Sequence, residues 1–115
     1  MKLSGSYGEG PKGEYREQTT PIGYFDFVNS FGLSDMHGNV WEWCADEWHD
    51  NYENAPTDSK AWLNGDKSYS LLRGGSWYSS PLYCRSAYRY HEFVGRDDRF
   101  FNIGFRIVCD RGISE

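Results

Sequence analysis

The run Val40-Trp41-Glu42-Trp43-Cys44 decides how this chain folds, because its residues alternate in character. A period of two places Trp41 and Trp43 on one face of a strand and the other three residues on the opposite face. The turn formers of Ser34-Asp35-Met36-His37-Gly38-Asn39 precede this run. The sequence therefore predicts a half-buried strand over residues 40–44 that begins directly after a turn.

Three further strands are predicted downstream, over residues 71–77, 83–90 and 103–109. Residues 45–70 are polar and acidic, and they indicate a long irregular excursion whose carboxylates form a solvated loop. No amphipathic helix longer than one or two turns is evident. These features predict an α+β fold with a small antiparallel sheet and long irregular loops.

The composition fits one aromatic-rich domain over residues 1–115. Aliphatic side chains are few, but five Trp and nine Tyr supply large rings that can bury apolar area and still satisfy a polar group. The chain has no apolar run long enough to cross a membrane and no signal-peptide core. Its three cysteines are too few for a disulfide scaffold. We therefore expect a cytoplasmic protein with no membrane partner.

Charge is distributed unevenly along the chain. Residues 1–72 contain 5 Lys or Arg and 12 Asp or Glu, whereas residues 73–115 contain 7 Arg and 5 acidic residues. A nucleic-acid-binding domain would combine such an arginine stripe with lysine and a basic pI, but the pI here is about 5.1. Arginine used alone favours fixed pairing within the fold. We therefore expect no nucleic-acid partner.

Three ordered motifs carry a family resemblance. They are Phe31-Gly32-Leu33-Ser34-Asp35-Met36-His37-Gly38-Asn39-Val40-Trp41-Glu42-Trp43, then Leu72-Arg73-Gly74-Gly75-Ser76-Trp77 with Cys84-Arg85-Ser86-Ala87, then Gly104-Phe105-Arg106-Ile107-Val108. In this order and spacing they resemble the C-terminal half of the formylglycine-generating enzyme, or sulfatase-modifying factor, family. The resemblance runs from about Tyr7 to Cys109. It implies a variant of the C-type lectin fold, in a domain truncated at its N-terminal side relative to the family.

The oxidases of that family use two cysteines, shortly after the Gly-Gly-Ser-aromatic strand, to hold copper. Soft thiolates are the ligands that Cu(I) prefers. Counted from the aromatic residue, Ser79 stands where the first thiol is expected. Cys84 aligns either with the second thiol or with a structural position. One cysteine cannot form the two-thiolate site, so we expect no copper and no oxidase activity.

The resemblance implies a structural calcium ion at the turn before the Trp-Glu-Trp run. Its ligands would be a side-chain oxygen of Asp35, the carbonyls of Gly38 and Val40, and the carboxylate of Glu42. Calcium accepts such a mixture of carboxylate and carbonyl oxygens. In the alternative, Glu42 pairs with an arginine and Asp35 caps the turn.

A zinc site is a separate possibility, formed by His37, Cys44 and His49 with nearby aspartates. Their spacing matches no recurrent zinc pattern. Strand alternation also places these groups on both faces of the sheet, so we expect no zinc site here.

Within residues 76–104, motif residues such as Cys84-Arg85-Ser86-Ala87 alternate with aromatic and small polar side chains of the kind found in antibody paratopes. The segment resembles the variable region of target proteins of diversity-generating retroelements, which display changing side chains on this scaffold. The predicted ligand-binding residues are Tyr78, Ser79, Ser80, Leu82, Tyr83, Tyr88, Tyr90, His91, Phe93, Phe100, Phe101 and Asn102. In the alternative, the chain is an ordinary non-catalytic family member whose rings form the core.

The sequence thus favours a non-catalytic recognition domain that binds a protein or another macromolecule. Its rivals are a formylglycine-generating oxidase and an accessory domain of a larger signalling protein. Residues 78–83, 88–93 and 100–102 are expected to form one exposed surface, because neighbouring antiparallel strands at 71–77 and 103–109 would send their loops to one end. Trp41, Trp77 and Phe105 are expected to form the core.

Overall fold

The fold was analysed in a computed structural model that describes residues 8–92 and 99–109. Its elements are β1 (Trp41–Trp48), β2 (Asp66–Arg73), a 3₁₀ helix (Pro81–Cys84), β3 (Tyr90–Glu92) and β4 (Ile103–Gly104). They form one four-stranded sheet in the order β3-β2-β1-β4. β1 and β3 run antiparallel to β2, whereas β4 runs parallel to β1. The expected small α+β fold with long loops is confirmed, but its sheet is mixed rather than antiparallel.

The core lies around β2, which is covered on both faces. Consecutive residues of a strand point to opposite faces, yet Leu71 and Leu72 are both buried. Trp41 of β1 is 6% exposed and completes the buried apolar set among the described residues. The two adjacent buried leucines show that β2, one of the two inner strands, is covered on both faces.

β1 extends to Trp48, four residues beyond the predicted end, because the acidic excursion is tied back to it. The Asp46 carboxylate accepts a hydrogen bond from the Trp62 amide (2.8 Å), and that of Glu47 accepts one from the Gly65 amide (2.8 Å). Register shifts on either side of Glu47 mark an irregularity in the β1–β2 pairing. Glu47 is therefore a buried structural residue, and the expectation that it belongs to a solvated loop is wrong.

The other three predicted strands need correction. β2 ends at Arg73 because Gly74 (φ 91°) and Gly75 (φ 72°) adopt left-handed backbone conformations that break a strand. Residues 81–84 form the 3₁₀ helix, in which Pro81 lacks the amide that a strand would need, and β3 begins only at Tyr90. β4 contains two residues and ends before Phe105.

The described residues contain no helix that could span a bilayer.

Asn39 joins the motifs into one unit. Its side chain accepts a hydrogen bond from the Thr20 amide and donates to the Thr20 carbonyl, both at 3.1 Å. Its own carbonyl accepts from the Trp77 amide (2.9 Å), and the adjacent Gly38 amide donates to the Gly74 carbonyl (2.7 Å). Asn39 has φ 65°, a conformation that asparagine tolerates better than most residues. The turn before β1 thus connects the N-terminal arm to the Gly-Gly turn.

Candidate functional site

A groove of about 610 Å³ lies on one face of the sheet and brings together most of the predicted ligand-binding residues. Eight of the twelve line it, namely Tyr78, Ser79, Ser80, Tyr83, Tyr90, Phe100, Phe101 and Asn102. Trp41, Leu72 and Ile103 line it as well. Trp41 was expected in the core and not in a ligand-binding site, although strand alternation places it on one face with Trp43.

The floor of the groove is rigid and aromatic. Trp41 stacks on Tyr90, with ring centroids 5.0 Å apart and an interplanar angle of 21°. The positions of these rings follow from the pairing of Leu72 with Trp43 on one side and with Tyr90 on the other. Residues on paired strands that share a face lie within contact distance, so the floor is fixed by the sheet itself.

The rim of the groove carries exposed rings. Tyr78 is 54% exposed and Phe101 is 70% exposed, and their rings meet edge to face at 6.2 Å. The Trp41 amide donates to the Asn102 carbonyl (2.8 Å), which holds the 100–102 loop against β1. The expectation that the strands at 71–77 and 103–109 are antiparallel neighbours is wrong, because β1 lies between β2 and β4. The loops still meet because β4 pairs with the start of β1.

The other predicted ligand-binding residues lie outside the groove lining. Leu82 is exposed on the 3₁₀ helix. The Tyr88 ring lies beside the groove, 4.9 Å from that of Tyr83. His91 faces the opposite side of the sheet, where its ring lies 4.0 Å from that of Trp48. Phe93 lies outside the described residues.

The position of the expected first thiol is occupied by a hydroxyl that already has partners. Ser79 Oγ accepts a hydrogen bond from the Ser76 amide (3.1 Å) and shares another with Ser76 Oγ (3.0 Å). Ser76 is buried, so this network closes the turn after Gly75. A serine held in this way stabilises the loop that carries Tyr78.

Cys44 and Cys84 are unsuited to thiolate chemistry as they are placed. A side chain at position 75 would lie 2.5 Å from Cys84 Sγ, so Cys84 packs against the Gly75 backbone. Burial raises the pKa of the Cys84 thiol. Burial also raises the pKa of Cys44 to about 11, and Arg73 only partly offsets this effect. Because the thiolate is the metal ligand and nucleophile, both residues favour the inert protonated form.

The proposed calcium ligands have other partners. Arg106 donates to both carboxylate oxygens of Glu42, through Nε to Oε2 at 2.6 Å and through Nη2 to Oε1. The hydrogen bond that Arg106 donates to Glu42 raises the pKa of Arg106. Asp35 Oδ2 accepts from Asn39 Nδ2 (3.0 Å). As arranged, the oxygens of Glu42 accept hydrogen bonds from a guanidinium and do not face a divalent cation. Calcium binding therefore requires Glu42 to exchange Arg106 for the ion.

Calcium at this turn stays a prediction. Within residues 8–92 and 99–109, no group of three or more His, Cys, Asp or Glu side chains is placed to hold a metal. The expectation that His37, Cys44 and His49 form no zinc site likewise stays a prediction.

The family profile of the sulfatase-modifying factor enzyme 1-like domain matches residues 3–111. The formylglycine-generating enzyme of Mycobacterium tuberculosis is 37% identical over 103 residues, a match that covers 80% of this chain and 33% of that protein. The inactive C-alpha-formylglycine-generating enzyme 2 of Bos taurus is 35% identical over 74 residues, covering 61% of this chain and 20% of that protein. Serine/threonine-protein kinase pkn1 of Chlamydia caviae is 36% identical over 102 residues, covering 87% and 16%.

Two solved structures share the fold. PvdO from Pseudomonas aeruginosa superposes with a TM-score of 0.72 and 35% identity, covering 89% of this chain and 42% of that one. Treponema denticola variable protein 1 superposes with a TM-score of 0.60 and 32% identity, covering 78% and 31%. These neighbours confirm the expected C-type lectin-like architecture, and the chain spans about a third of the M. tuberculosis enzyme. The chain belongs to the sulfatase-modifying factor enzyme 1-like family, which contains both active formylglycine-generating enzymes and inactive members.

Proposed function

We propose that this chain is a non-catalytic recognition domain that binds a protein ligand in the aromatic groove. The observation that carries the proposal is the chemistry of the groove wall. Among the described residues that line it, none is a cysteine, a histidine or a charged residue. Such a wall offers apolar contact area and a few hydroxyl and amide groups, which suit the binding of a partner's uncharged side chain.

The exposed rim supports the same function. Tyr78 and Phe101 provide large rings with few rotatable bonds, so little conformational entropy is lost when a partner covers them. Rings of this kind dominate the energy of many protein interfaces. The structural likeness to a variable protein of Treponema denticola adds weight to a recognition role.

An oxidase is the second candidate, because formylglycine-generating enzymes are among the relatives. Its chemistry would require two thiolates near the Gly-Gly-Ser turn, where the chain has Ser79 and the packed thiol of Cys84. We therefore expect no oxidation of a sulfatase-derived cysteine peptide in the presence of copper and oxygen. Mass spectrometry that detects formylglycine above the level of a protein-free control would contradict the proposal.

Ligand binding can be tested without a known partner by panning a phage-displayed peptide library on the chain. We expect the selected peptides to bind the double variant Tyr78→Ala, Phe101→Ala about 30-fold more weakly, which corresponds to an interface hot spot of about 2 kcal/mol. Leu63→Ala is the matched control, because Leu63 is also exposed but does not line the groove. Equal binding to all three proteins would refute the groove as the recognition site.

The diversified character of residues 76–104 is a separate part of the proposal. It predicts a nearby near-copy of the codons for residues 76–109 that differs from them only at adenines. The nucleotide sequence around the coding region tests this directly. A near-copy that differs at other bases, or none at all, would leave an ordinary recognition domain with fixed side chains.

The absence of a nucleic-acid partner is also part of the proposal, and the contacts of three arginines support it. Arg106 binds Glu42, and Arg73 Nη1 donates to the Ser86 and Tyr88 carbonyls at 3.0 and 3.1 Å. Arg89 donates to the His49 carbonyl (2.8 Å). These contacts hold the guanidinium groups within the fold instead of presenting them to phosphates. Binding to duplex DNA that weakens with salt would contradict this part.

We propose a cytoplasmic location on the basis of the cysteines. Cys44, Cys84 and Cys109 are all free in the structure. Free thiols persist in the reducing environment of the cytoplasm.

The same recognition role is compatible with an accessory domain of a larger protein, since the match to pkn1 covers only part of that kinase.

A further inference from the structure

A second pocket, of about 660 Å³, lies on the face of the sheet opposite to the aromatic groove. Tyr90 lines the groove and His91 lines this pocket, as expected for consecutive residues of a strand, which point to opposite faces. Three carboxylate side chains line the pocket, those of Asp50, Glu53 and Asp66, whereas no Lys or Arg of the described residues does so. We call this site the acidic pocket.

The carboxylates of the acidic pocket converge from two segments of the chain. Asp50 and Glu53 follow β1, whereas Asp66 begins β2. The two segments meet because Trp48 pairs with Asp66 where β1 and β2 run antiparallel. The acidic pocket is thus assembled by the fold and is not only an acidic run in the sequence.

The carboxylates are oriented but have no cationic partner in the described part of the chain. Asp50 Oδ1 accepts a hydrogen bond from Trp48 Nε1 (3.0 Å), and Asp66 Oδ1 accepts one from the Ser68 amide (2.8 Å). No described Lys or Arg forms an ion pair with either of them or with Glu53. A ligand with N–H donors can therefore bind them without displacing an internal partner.

Aromatic rings form a further part of the wall. The ring centroid of His91 lies 4.0 Å from that of Trp48 and 5.0 Å from that of Tyr69. Aromatic faces attract cations, and the Trp48 ring already has the Arg89 guanidinium 4.7 Å from its centroid. The three carboxylates outnumber this one positive charge. Rings and carboxylates together therefore favour a positively charged ligand.

A buried nitrogen on the pocket wall lacks a partner. The His49 ring stacks on Trp62, with ring centroids 3.7 Å apart, and His49 Nε2 is buried with no hydrogen-bond partner among the described residues. A side chain at position 65 would lie 2.7 Å from this atom, so Gly65 is needed for the ring to lie at the wall. Leaving a buried polar atom unpaired costs free energy. An N–H group of a ligand at this wall would supply the missing donor.

The same groups are not arranged around a single ion. Within the described ranges, no three His, Cys, Asp or Glu side chains are placed to share one metal. An extended cation with several N–H groups can instead reach carboxylates on different walls. Ammonium and guanidinium groups have this chemistry, since they carry a positive charge and several donors.

We propose that the acidic pocket binds an organic cation through ammonium or guanidinium groups, which donate to the carboxylates and pack against the aromatic wall. The cation is either a free polyamine or a basic side chain of another protein, since both carry the same donors. The proposal is independent of the aromatic groove, because the two sites lie on opposite faces of the sheet.

The experiment titrates the isotope-labelled chain with two probes and follows its NMR signals. Spermidine represents a free polyamine, and a glycine-flanked arginine tripeptide represents a basic side chain. We expect at least one probe to shift the signals of the Trp48 indole and the Gly65 amide in a saturable manner, and the tighter probe identifies the source of the cation. Added salt should weaken binding, because it screens exposed charges.

Two double variants separate the pocket from net charge. Glu53→Gln, Asp66→Asn removes two exposed carboxylates of the pocket and should weaken binding of the tighter probe about tenfold, as expected for the loss of two exposed ion pairs. Glu14→Gln, Asp58→Asn changes the net charge equally at exposed residues outside the pocket and should bind as the wild type does. Far-UV circular dichroism checks that both variants fold.

Three results would overturn the proposal. The first is that neither probe shifts the Trp48 and Gly65 signals. The second is equal weakening of binding in both double variants, since net charge alone would then attract the probe. The third is binding of tetramethylammonium, a cation without N–H groups, as tight as that of the better probe. None of these results bears on the groove, whose test uses variants on the other face.

Discussion

Replacing Trp41 or Phe101 by alanine separates a buried groove floor from an exposed recognition rim. Trp41 is 6% exposed and stacks on Tyr90, whereas Phe101 is 70% exposed. Removing a buried aromatic side chain costs about 3–5 kcal/mol, the sum of the lost transfer energy and the cavity left behind. An exposed ring usually contributes within about 0.5 kcal/mol. We therefore expect Trp41→Ala to be severe and Phe101→Ala to be nearly neutral.

The loss expected for Trp41→Ala is a large share of the free energy of unfolding of a small domain. Small domains unfold with a free energy of about 5–15 kcal/mol. A loss of 3–5 kcal/mol corresponds to a fall in Tm of roughly 12–20 °C for a chain of this size. Trp41→Phe keeps a ring on the floor and should lose about half as much, so it remains measurable if Trp41→Ala does not fold.

Phe105→Ala provides an internal check on the same reasoning. The sequence placed Phe105 in the core, but the structure leaves it 74% exposed. We therefore expect its replacement to cost no more than that of Phe101, and the expectation that Phe105 forms part of the core is wrong. Urea unfolding followed by far-UV circular dichroism measures all four variants. If Phe101→Ala proves as damaging as Trp41→Ala, the rim is core and the recognition surface fails.

Three further measurements address the ion pair, the metal and the thiols. Arg106→Met should lower the free energy of unfolding by about 1.5–3 kcal/mol, the contribution of hydrogen bonds to a charged group, as read from urea unfolding. If calcium displaces Arg106 from Glu42, then EDTA should lower the Tm and Arg106→Met should tighten calcium binding; an unchanged Tm with no calcium by elemental analysis would contradict the site. Iodoacetamide should label the exposed Cys109 first. Burial raises the pKa of Cys84 and raises that of Cys44 to about 11, so alkylation of both thiols should be slow at pH 8 and should accelerate as the pH rises further; rates at pH 8 equal to that of Cys109 would refute their burial.

Local patterns predicted the parts of the fold that local forces determine. The alternation around Trp41 correctly placed a strand there. Eight of the twelve residues expected at one surface line the groove, but His91 faces the opposite side of the sheet and Phe93 lies outside the described residues. The extension of β1 through Glu47 was not predictable, because a buried carboxylate next to a bulge depends on the Gly65 amide, 18 residues away. The role of Asn39 was missed for the same reason, although an asparagine after a glycine in a turn was a signal for a left-handed residue with side-chain hydrogen bonds.

At residues 103–109 the error is the opposite one, because the predicted strand is longer than the observed β4. Residues 105–108 have the intrinsic character of a strand, but strand formation also requires a neighbour with which to exchange backbone hydrogen bonds. The sequence contains the first requirement, whereas the second depends on the strand order, in which β4 pairs with β1 only through Ile103 and Gly104.

The alternation of β1 also explains how one small sheet can carry two unlike surfaces. Trp41 points to the groove, while its neighbours Val40 and Glu42 line the hollow that contains Phe105 and Arg106. Side chains on opposite faces of a strand point away from each other, so substitutions at the rim of the groove leave the Glu42–Arg106 pair intact. Exchange of the exposed rings of Tyr78 and Phe101 should therefore cost little stability, whereas the buried Trp41 and Leu72 beneath them must be retained.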